Sequence, residues 1–243
     1  MSGQNSDIFL SIVIPAYLEQ DNIPSTIASL KNYFSTMDYM VEYIVVDDGS
    51  TDNTSEAACK SGAVLIRLEK NQGKGAAVRT GMLNANGEVI LSTDADYPYE
   101  IAAVENCIAK IRDGCDLVIG SRNLPDSDRG RERIKRRIIS KIGNLVTQLF
   151  ILPGISDTQA GFKCFSRRSA REIFSRTLIN GWGFDIEAIY LARLKKFQIA
   201  EVPVRLIPRA IKPSRIQSPT RTAINVLMSI FTIHINRIKG KYR

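Results

Sequence analysis

The chain has 243 residues, of which 44% are hydrophobic and 24% charged, a composition that predicts one well-cored globular unit or one domain with an appendage. Its formal net charge of +8 combines −9 over residues 1–121 (8 Lys/Arg against 17 Asp/Glu) with +17 over residues 122–243 (25 against 8), so an acidic half that could hold a metal is joined to a basic half that would attract anions. No apolar run reaches the ~18 to 20 residues of a membrane-spanning helix.

Strands alternate with helices over residues 10–120. The strands read as continuous apolar runs, as in sheets that are covered on both faces. In chain order, we predict strands at 10–16, 41–46, 63–68, 88–93 and 117–120, and helices that begin near residues 23, 53, 75 and 101. This alternation predicts an α/β fold with a mostly parallel sheet and helices on both faces.

The pattern changes after Arg122. The polar, glycine-containing segment 123–133 predicts a mobile loop, and residues 208–219, with three prolines, predict a flexible segment. The remaining predicted elements are helices at 134–150, 169–174, 184–195 and 220–239 and strands at 162–165 and 199–207.

Candidate site residues lie at or after the carboxyl ends of four predicted strands. They are Pro15, Tyr17 and Glu19 after the first strand, Asp47 and Asp48 after the second, Asp94 and Asp96 after the fourth, and Arg122 after the fifth. In open α/β sheets, ligands bind at the carboxyl ends of the strands. The Asp94 and Asp96 pair by itself fits a polar turn as well as a metal site, but the four sites together favour a nucleotide diphosphate with a divalent cation.

The segment Asn71–Ala77 resembles a phosphate loop only superficially, because the required glycine and Ser/Thr positions are absent. Its glycines more simply permit a tight entry into the next helix, which would bring Lys74 and Arg79 near the site. The alternative is a surface turn.

The termini, cysteines and histidine favour a cytoplasmic protein without a nucleophilic triad. Residues 1–7 are polar and do not resemble a signal peptide. The four cysteines lack metal-type spacing, so we expect reduced thiols. The single histidine, His234, lies away from every motif, which argues against a Ser-His or Cys-His mechanism.

The basic half suggests an anionic amphiphile rather than nucleic acid. Residues 129–141 contain seven basic residues but no aromatic residue on which a base could stack, and Arg136 stands just before an Ile-Ile pair. A solvated basic face is the alternative. In the last helix one narrow polar stripe interrupts an apolar surface, and basic residues flank it; its members are Asn225, Ser229, Thr232 and Asn236. This helix fits a membrane interface with anionic lipids, or alternatively a homodimer or core contact.

These residues resemble glycosyltransferase family 2, which has the GT-A fold. The resemblance spans residues 10 to about 215 and is carried by Ile14–Tyr17 with Glu19, Val45–Asp52, Asn71–Arg79 and Asp94–Asp96. Within the family, Gly120–Arg122, Lys135, Arg136, Ser140 and Asp157–Lys163 are similar to the polyprenyl-phosphate branch, and the last motif is closer to its dolichyl-phosphate glucosyl type.

The resemblance implies a role for each matching residue. The nucleotide sugar would be held by Pro15, Tyr17, Glu19, Val46, Asp48, Arg79, Asp94 and Ala95. Asp94 and Asp96 would bind Mg²⁺ or Mn²⁺, and Arg122, Arg136 and Arg209 would meet the phosphates, with Asp96, Arg122 and Arg136 as the catalytic set. Pro98 stands where related synthases have a glutamine ligand, so the third metal ligand is open, with water or Glu100 as candidates.

The resemblance therefore implies a metal-dependent inverting enzyme that moves a hexose, glucose or secondarily mannose, from a UDP- or GDP-sugar to a polyprenyl phosphate. Residues 1–217 would form the GT-A domain, and residues 218–243 a helix that holds the protein peripherally on the cytoplasmic face of a membrane. The alternatives are a saccharide or protein acceptor, a non-catalytic membrane-surface module and, last, a nucleic-acid binder.

Overall fold

The computed structural model describes residues 8–96, 99–128, 134–207 and 219–242, with side chains except those of residues 134–140 and 219–223. Strands and helices alternate along most of this chain. In chain order they are β1 (Ile8–Ala16), α1 (Ile23–Phe34), β2 (Met40–Asp47), α2 (Thr54–Lys60), β3 (Val64–Arg67), α3 (Lys74–Asn84), β4 (Val89–Ser92), α4 (Ala103–Arg112), β5 (Leu117–Ser121), α5 (Ile134–Phe150), β6 (Lys163–Ser166), α6 (Arg167–Phe174), α7 (Phe184–Leu194), β7 (Ile199–Pro203) and α8 (Pro219–Ile238).

The strands form one sheet in the order β3-β2-β1-β4-β6-β5-β7. All neighbouring strands are parallel except that β6 runs antiparallel to both β4 and β5. The predicted mostly parallel sheet is therefore confirmed. Its topology brings the carboxyl ends of β2, β1, β4 and β5 to one edge, which is where the sequence places its polar residues.

Alternating side chains of the strands fill two hydrophobic cores, one on each face of the sheet. Leu10, Ile12 and Ile14 of β1 point to the core that α1, α2 and α4 cover. Val13 points to the opposite core, which is covered by α3, α6 and α7. Successive side chains of a strand face opposite sides, so a continuous apolar run is needed to line both cores.

Most predicted boundaries lie within two residues of the observed ones. The largest difference is at β7, which ends at Pro203 although the apolar pattern continues to residue 207. Between Pro203 and residue 207 the backbone makes two isolated bridges, Arg205 to Asp128 and Leu206 to Tyr99. Residues 129–133 of the predicted loop and 208–218 of the predicted flexible segment lie outside the described residues.

Helix α8 packs against α5 and α7, and two of the four residues of its polar stripe turn inward. Ser229 and Asn236 are buried together with Val226, Ile230 and Ile233. The side chains that α8 exposes are mainly apolar, namely Ile224, Leu227, Met228, Phe231 and Ile238. Helix α5 adds the exposed side chains of Ile142, Leu145, Leu149 and Phe150. We call these nine residues the apolar face. None of the described helices combines the length and the apolar character needed to cross a bilayer.

One glycine of α3 fixes how closely this helix approaches the sheet. A Cβ atom on Gly81 would lie 2.3 Å from Cγ1 of Val13 and 3.0 Å from Cγ2 of Val46. Both neighbours are β-branched and stiff. We predict that Gly81→Ala lowers the free energy of unfolding by about 1–3 kcal/mol, since overpacking forces the helix or the strands apart. Urea unfolding measures the change.

The matched control is Gly143→Ala in α5. Its Cβ would meet only Cγ2 of Val226, at an ordinary 3.9 Å. This substitution should be neutral or stabilise by up to about 1 kcal/mol, because alanine loses less backbone entropy in a helix. Equal destabilisation by both substitutions would contradict the close-approach explanation.

Candidate active site at the carboxyl edge of the sheet

Three acidic side chains follow the ends of β1 and β4 and interact through their charges. The hydroxyl of Thr26 donates to the backbone oxygen of Ala95 at 2.7 Å, which joins α1 to the turn after β4. Glu19 and Asp96 are both largely buried, and Asp94 forms an ion pair with Lys74 of α3. The edge is therefore strongly acidic, as the sequence predicted.

The pKa of Glu19 is affected by the neighbouring carboxylates. Burial raises the pKa of the Glu19 carboxyl above its ordinary value. A hydrogen bond from Asn22 opposes the rise, whereas the negative charges of Asp96 and Asp94 add to it. A cation entering this edge would relieve that repulsion.

Lys74, at the start of α3, supplies a cation to this edge. Its Nζ lies 2.5 Å from Oδ1 of Asp94, and both side chains are mostly buried. The same ammonium group lies 4.8 Å from the ring centroid of Trp182. Burial opposes its charge, but the carboxylates of Asp94 and Asp185 hold the pKa of Lys74 above its ordinary value. The predicted placement of Lys74 near the site is thus observed.

Asp48 organises the loop that leads into α3. Its two carboxylate oxygens accept from the backbone N–H groups of Gln72 (2.7 Å) and Gly73 (2.8 Å). Gly73 has φ +104°, a conformation that favours glycine. Burial raises the pKa of Asp48, and these two hydrogen bonds partly offset the rise. Asp48 therefore positions Lys74 indirectly, and its contact with a nucleotide stays a prediction.

The other predicted nucleotide-binding residues differ in accessibility. Tyr17 is partly exposed at the edge. Pro15 and Val46 are buried in β1 and β2, where they pair with each other, and the Val46 side chain packs toward α3. Arg79 donates to the backbone oxygen of Thr177 and to Oδ1 of Asn180, so it ties α3 to the following loop.

Arg122 follows β5 and is held by Asp157. Its Nε and Nη2 donate to the two Asp157 oxygens at 2.7 and 2.9 Å, and its backbone N–H donates at 3.1 Å. Burial alone would raise the pKa of Asp157, but the charge and hydrogen bonds of Arg122 hold it below its ordinary value. Between orienting a basic residue and orienting an acceptor, the geometry gives Asp157 the first role.

A cleft of about 600 Å³ opens beside Arg122. It lies between the 122–128 segment and α5, and its lining includes Lys141, Asn144 and Leu145. Leu145 also belongs to the apolar face. The wall of the cleft therefore carries two basic residues, Arg122 and Lys141, and one acidic residue, Asp128, and Leu145 gives it an apolar border.

Tyr99 and Gly161 connect this cleft to the acidic edge. The Gly161 N–H donates to the Tyr99 hydroxyl at 3.0 Å. Burial raises the pKa of Tyr99 to about 12, with Arg122 acting to lower it and Asp94 to raise it. A Cβ on Gly161 would stand 2.2 Å from Oδ2 of Asp94, so only glycine leaves room for that carboxylate.

The segment 177–183 joins the site to the C-terminus of the described chain. Glu187 accepts from the backbone N–H groups of Leu178 (2.9 Å) and Ile179 (2.8 Å), and from the Tyr242 hydroxyl at 2.6 Å. A Cβ on Gly183 would lie 1.8 Å from Oγ of Ser229 in α8. Trp182, which faces Lys74, is thus carried by a segment that α8 and Tyr242 hold in place.

Sequence reasoning missed Trp182, Tyr99, Asp185 and Glu187. Trp182 had a signal, since it is the only tryptophan and lies between two glycines. The other three depend on contacts between distant segments. Arg209 and Pro98 lie outside the described residues, and Arg136 lies in α5 with its side chain outside them.

The donor set at the edge fits a hard cation only in part. Asp94 and Asp96 offer carboxylate oxygens, the ligands that Mg²⁺ and Mn²⁺ prefer. Within the described ranges no three His, Cys, Asp or Glu side chains form a group that could hold a metal. A cation here would need further oxygens from its substrate or from water, as is usual for Mg²⁺ bound with phosphates.

Comparisons with known proteins identify relatives of this chain. The sequence model of Glycosyl transferase family 2 matches residues 11–174. A dolichyl-phosphate beta-glucosyltransferase of Dictyostelium discoideum is 37% identical over 216 residues, which cover 82% of this chain and 66% of that protein. One of Drosophila melanogaster is 34% identical over 254 residues, covering 96% and 77%. The chain thus spans about two thirds of the first relative's length and somewhat more of the second.

A solved structure confirms the fold. Glucosyl-3-phosphoglycerate synthase from Mycobacterium tuberculosis, crystallised with Mn²⁺, UDP-glucose and phosphoglyceric acid, has a TM-score of 0.67 at 22% identity, covering 92% of this chain and 79% of that one. The GT-A fold expected from the sequence is therefore present.

The Arg122–Asp157 pair yields a pH-dependent prediction. Asp157→Asn should lower the free energy of unfolding at pH 7 by about 3 kcal/mol, because it leaves a mostly buried guanidinium without its counter-charge. The folded-state pKa of Asp157 is depressed, so its stabilisation is fully present above the ordinary pKa of about 3.9 and is lost as the pH falls through the folded value.

Urea unfolding at pH 7 and at progressively lower pH measures this difference. The difference in free energy of unfolding between the parent and Asp157→Asn should become smaller below about pH 4. Asp38→Asn, at an exposed position, serves as the control and should change stability little at any pH. A difference that widens toward acid would contradict the assigned role.

Proposed function

The chain belongs to glycosyltransferase family 2, and we propose that it transfers a hexose, glucose in the first place and mannose in the second, from a nucleotide-diphosphate sugar to a polyprenyl phosphate with inversion. The names of its relatives support glucose and a dolichyl-phosphate acceptor. UDP-glucose, present in the structure of the mycobacterial synthase, is the donor to test first, with GDP-sugars next.

The observation that carries the proposal is the cleft beside Arg122. Arg122 and Lys141 offer positive charge for a phosphate, and Leu145 continues into the apolar face, on which a polyprenyl chain can lie. A saccharide or protein acceptor would have no use for that apolar border. Arg136 and Arg209 are proposed to add charge to the same phosphate, as the resemblance implies.

The acceptor's own chemistry fits a site without a histidine base. A phosphate monoester has a second pKa of about 6 and is already a dianion near neutrality. Its oxygen can attack the anomeric carbon of the sugar directly while the bond to the diphosphate breaks. Arg122, fixed by Asp157, places the attacking oxygen in line, so catalysis depends on position more than on proton transfer.

The donor would lie along the acidic edge. We propose that Tyr17, Glu19 and Asp48 surround the nucleotide, with Pro15, Val46, Arg79 and Ala95 shaping the walls. Asp94 and Asp96 would hold Mg²⁺ or Mn²⁺, which when bound neutralises the charge that develops on the departing diphosphate. The Mn²⁺ in the mycobacterial structure supports this choice of cation.

We propose that the apolar face rests on a membrane, with residues 1–217 as the catalytic domain and residues 218–243 as the attachment helix. Arg237, Lys239 and Lys241 are exposed at the end of α8, where they would meet anionic headgroups on the cytoplasmic leaflet. Such a position brings the cleft to the depth at which a polyprenyl phosphate presents its head.

The first test is the reaction itself. Purified protein with Mg²⁺ or Mn²⁺ should convert UDP-glucose and a short polyprenyl phosphate into a glycolipid, followed by thin-layer chromatography and mass spectrometry. Asp96→Asn should reduce kcat/KM by at least about 100-fold, since it removes a charged oxygen ligand at the cation.

Asp38→Asn, which removes an exposed carboxylate elsewhere, is the matched control and should retain activity. A screen of GDP-mannose and other nucleotide sugars follows. If no donor gives product with the lipid phosphate but a saccharide acceptor is glycosylated, the acceptor assignment is wrong while the family activity stands.

The membrane proposal has its own test. Wild-type protein should co-sediment with vesicles that contain phosphatidylserine. The double variant Leu227→Ser/Phe231→Ser should bind at least about tenfold more weakly, because two large apolar side chains no longer enter the interface. Both residues are exposed, so the fold should be unchanged by circular dichroism.

Met40→Ser/Val64→Ser is the matched control, because it removes two exposed apolar side chains that belong to β2 and β3. It should bind vesicles like the parent. A parent protein that ignores vesicles but forms a dimer, which the Leu227→Ser/Phe231→Ser variant dissociates, would assign the apolar face to a homodimer.

A further inference from the structure

Lys74 forms an ion pair with Asp94, the carboxylate that would bind the divalent cation in the proposed function. Its Nζ lies 2.5 Å from Oδ1 of Asp94. On the other side, Oδ2 of Asp94 faces Gly161, with room for no more than a hydrogen atom there. The Asp94 carboxylate is thus confined between an ammonium group and a backbone wall, and a second cation must compete with the first.

The surroundings of Lys74 offer it no equivalent second partner among the described side chains. The nearby Asp185 carboxylate is already engaged by Lys163, whose Nζ lies 2.6 Å from Oδ1 in a buried pair. The remaining close groups are aromatic rings, Trp182 at 4.8 Å and Phe184 at 5.9 Å from the ammonium. A ring face offers an ammonium less than a carboxylate does, so removal of Lys74 from Asp94 is costly unless a new anion arrives.

The donor itself carries such an anion. A nucleotide diphosphate bound along this edge would bring phosphate oxygens near Lys74. Its cation would offset the repulsion among the acidic residues around Glu19. One of those oxygens can accept a hydrogen bond from the Lys74 ammonium group while the Asp94 carboxylate binds the cation. After the exchange, the ammonium group and the carboxylate each still face an opposite charge.

We propose that Lys74 is an internal counter-cation for Asp94, and that it hands this carboxylate to the divalent cation only as its ammonium moves to the donor's diphosphate. The proposal rests on the proposed donor and metal site, and it concerns the order and coupling of binding rather than the reaction. It makes cation and nucleotide mutually dependent ligands, with a coupling that is the same in both directions.

The decisive variant is Lys74→Met, which keeps an unbranched stem of similar length and removes the charge. In the parent protein, saturating UDP should strengthen Mn²⁺ binding by at least about tenfold. In Lys74→Met, Mn²⁺ alone should bind at least about tenfold more tightly than to the parent, and UDP should strengthen Mn²⁺ binding less than in the parent, with the remaining effect due to phosphate oxygens that bind the cation directly. UDP affinity should fall.

Two measurements on the full chain follow these equilibria without turnover. The signal of free Mn²⁺ in electron paramagnetic resonance gives the affinity with and without UDP, after correction for the Mn²⁺–UDP complex in buffer. Trp182, the only tryptophan of the chain, gives the second readout, because departure of the ammonium from its ring should change its emission. Mg²⁺ with UDP should produce this change in the parent and not in Lys74→Met.

Lys31→Met is the charge-matched control. Lys31 Nζ donates to the backbone oxygens of Ser61 and Gly62, so its loss removes one positive charge without touching Asp94. Equal Mn²⁺ affinity in the parent and Lys74→Met would overturn the counter-cation role while leaving the transferase proposal intact. Weaker Mn²⁺ binding by Lys74→Met would also overturn it. No Mn²⁺ binding by any variant, with or without UDP, would overturn both the counter-cation role and the proposed metal site.

Discussion

Negative charges crowded at one edge of a sheet repel one another, and the rest of this site is arranged around that constraint. Four carboxylates in and around this edge each receive their own compensation. Lys74 faces Asp94, Arg122 clasps Asp157, Lys163 pairs with Asp185, and Asp48 takes two backbone N–H groups. Buried charges persist only when paired or hydrogen-bonded. The compensation also selects geometry, because each partner comes from a different segment and fixes that segment against the sheet edge.

The site is mechanically continuous with the helices that carry the apolar face. Glu187 gathers two backbone N–H groups of the 178–179 segment and the hydroxyl of Tyr242, while Gly183 lies against Ser229. The same segment reaches α3 through Arg79 and presents Trp182 to Lys74. The end of the described chain is therefore built into the wall of the site. Removal of α8 and the residues after it would take from Glu187 its bond with Tyr242 and from Gly183 its contact with Ser229.

The sheet and its carboxyl edge could be predicted from the sequence because both depend on local patterns. Continuous apolar runs located the strands, and the residues that follow them had to meet at the carboxyl edge. Tertiary packing decided what local patterns could not. The insertion of antiparallel β6 between β4 and β5, the approach of Gly161 to Asp94, and the Glu187–Tyr242 bond across 55 positions all join distant segments. The polar stripe of α8 was recognisable, but a stripe of this kind normally faces water; here buried Gly183 and Tyr242 give Ser229 and Asn236 their inward contacts.

That inward stripe separates two properties that most amphipathic helices combine. The side of α8 that stabilises the fold is the one bearing Ser229, Ile233 and Asn236, and the side bearing Leu227 and Phe231 contributes little to the core. On the proposed membrane attachment, the residues for surface binding and the residues for folding thus lie on opposite sides of one helix. Substitutions on the outer side would then change the affinity of the protein for a given lipid composition, and every intermediate variant would still fold.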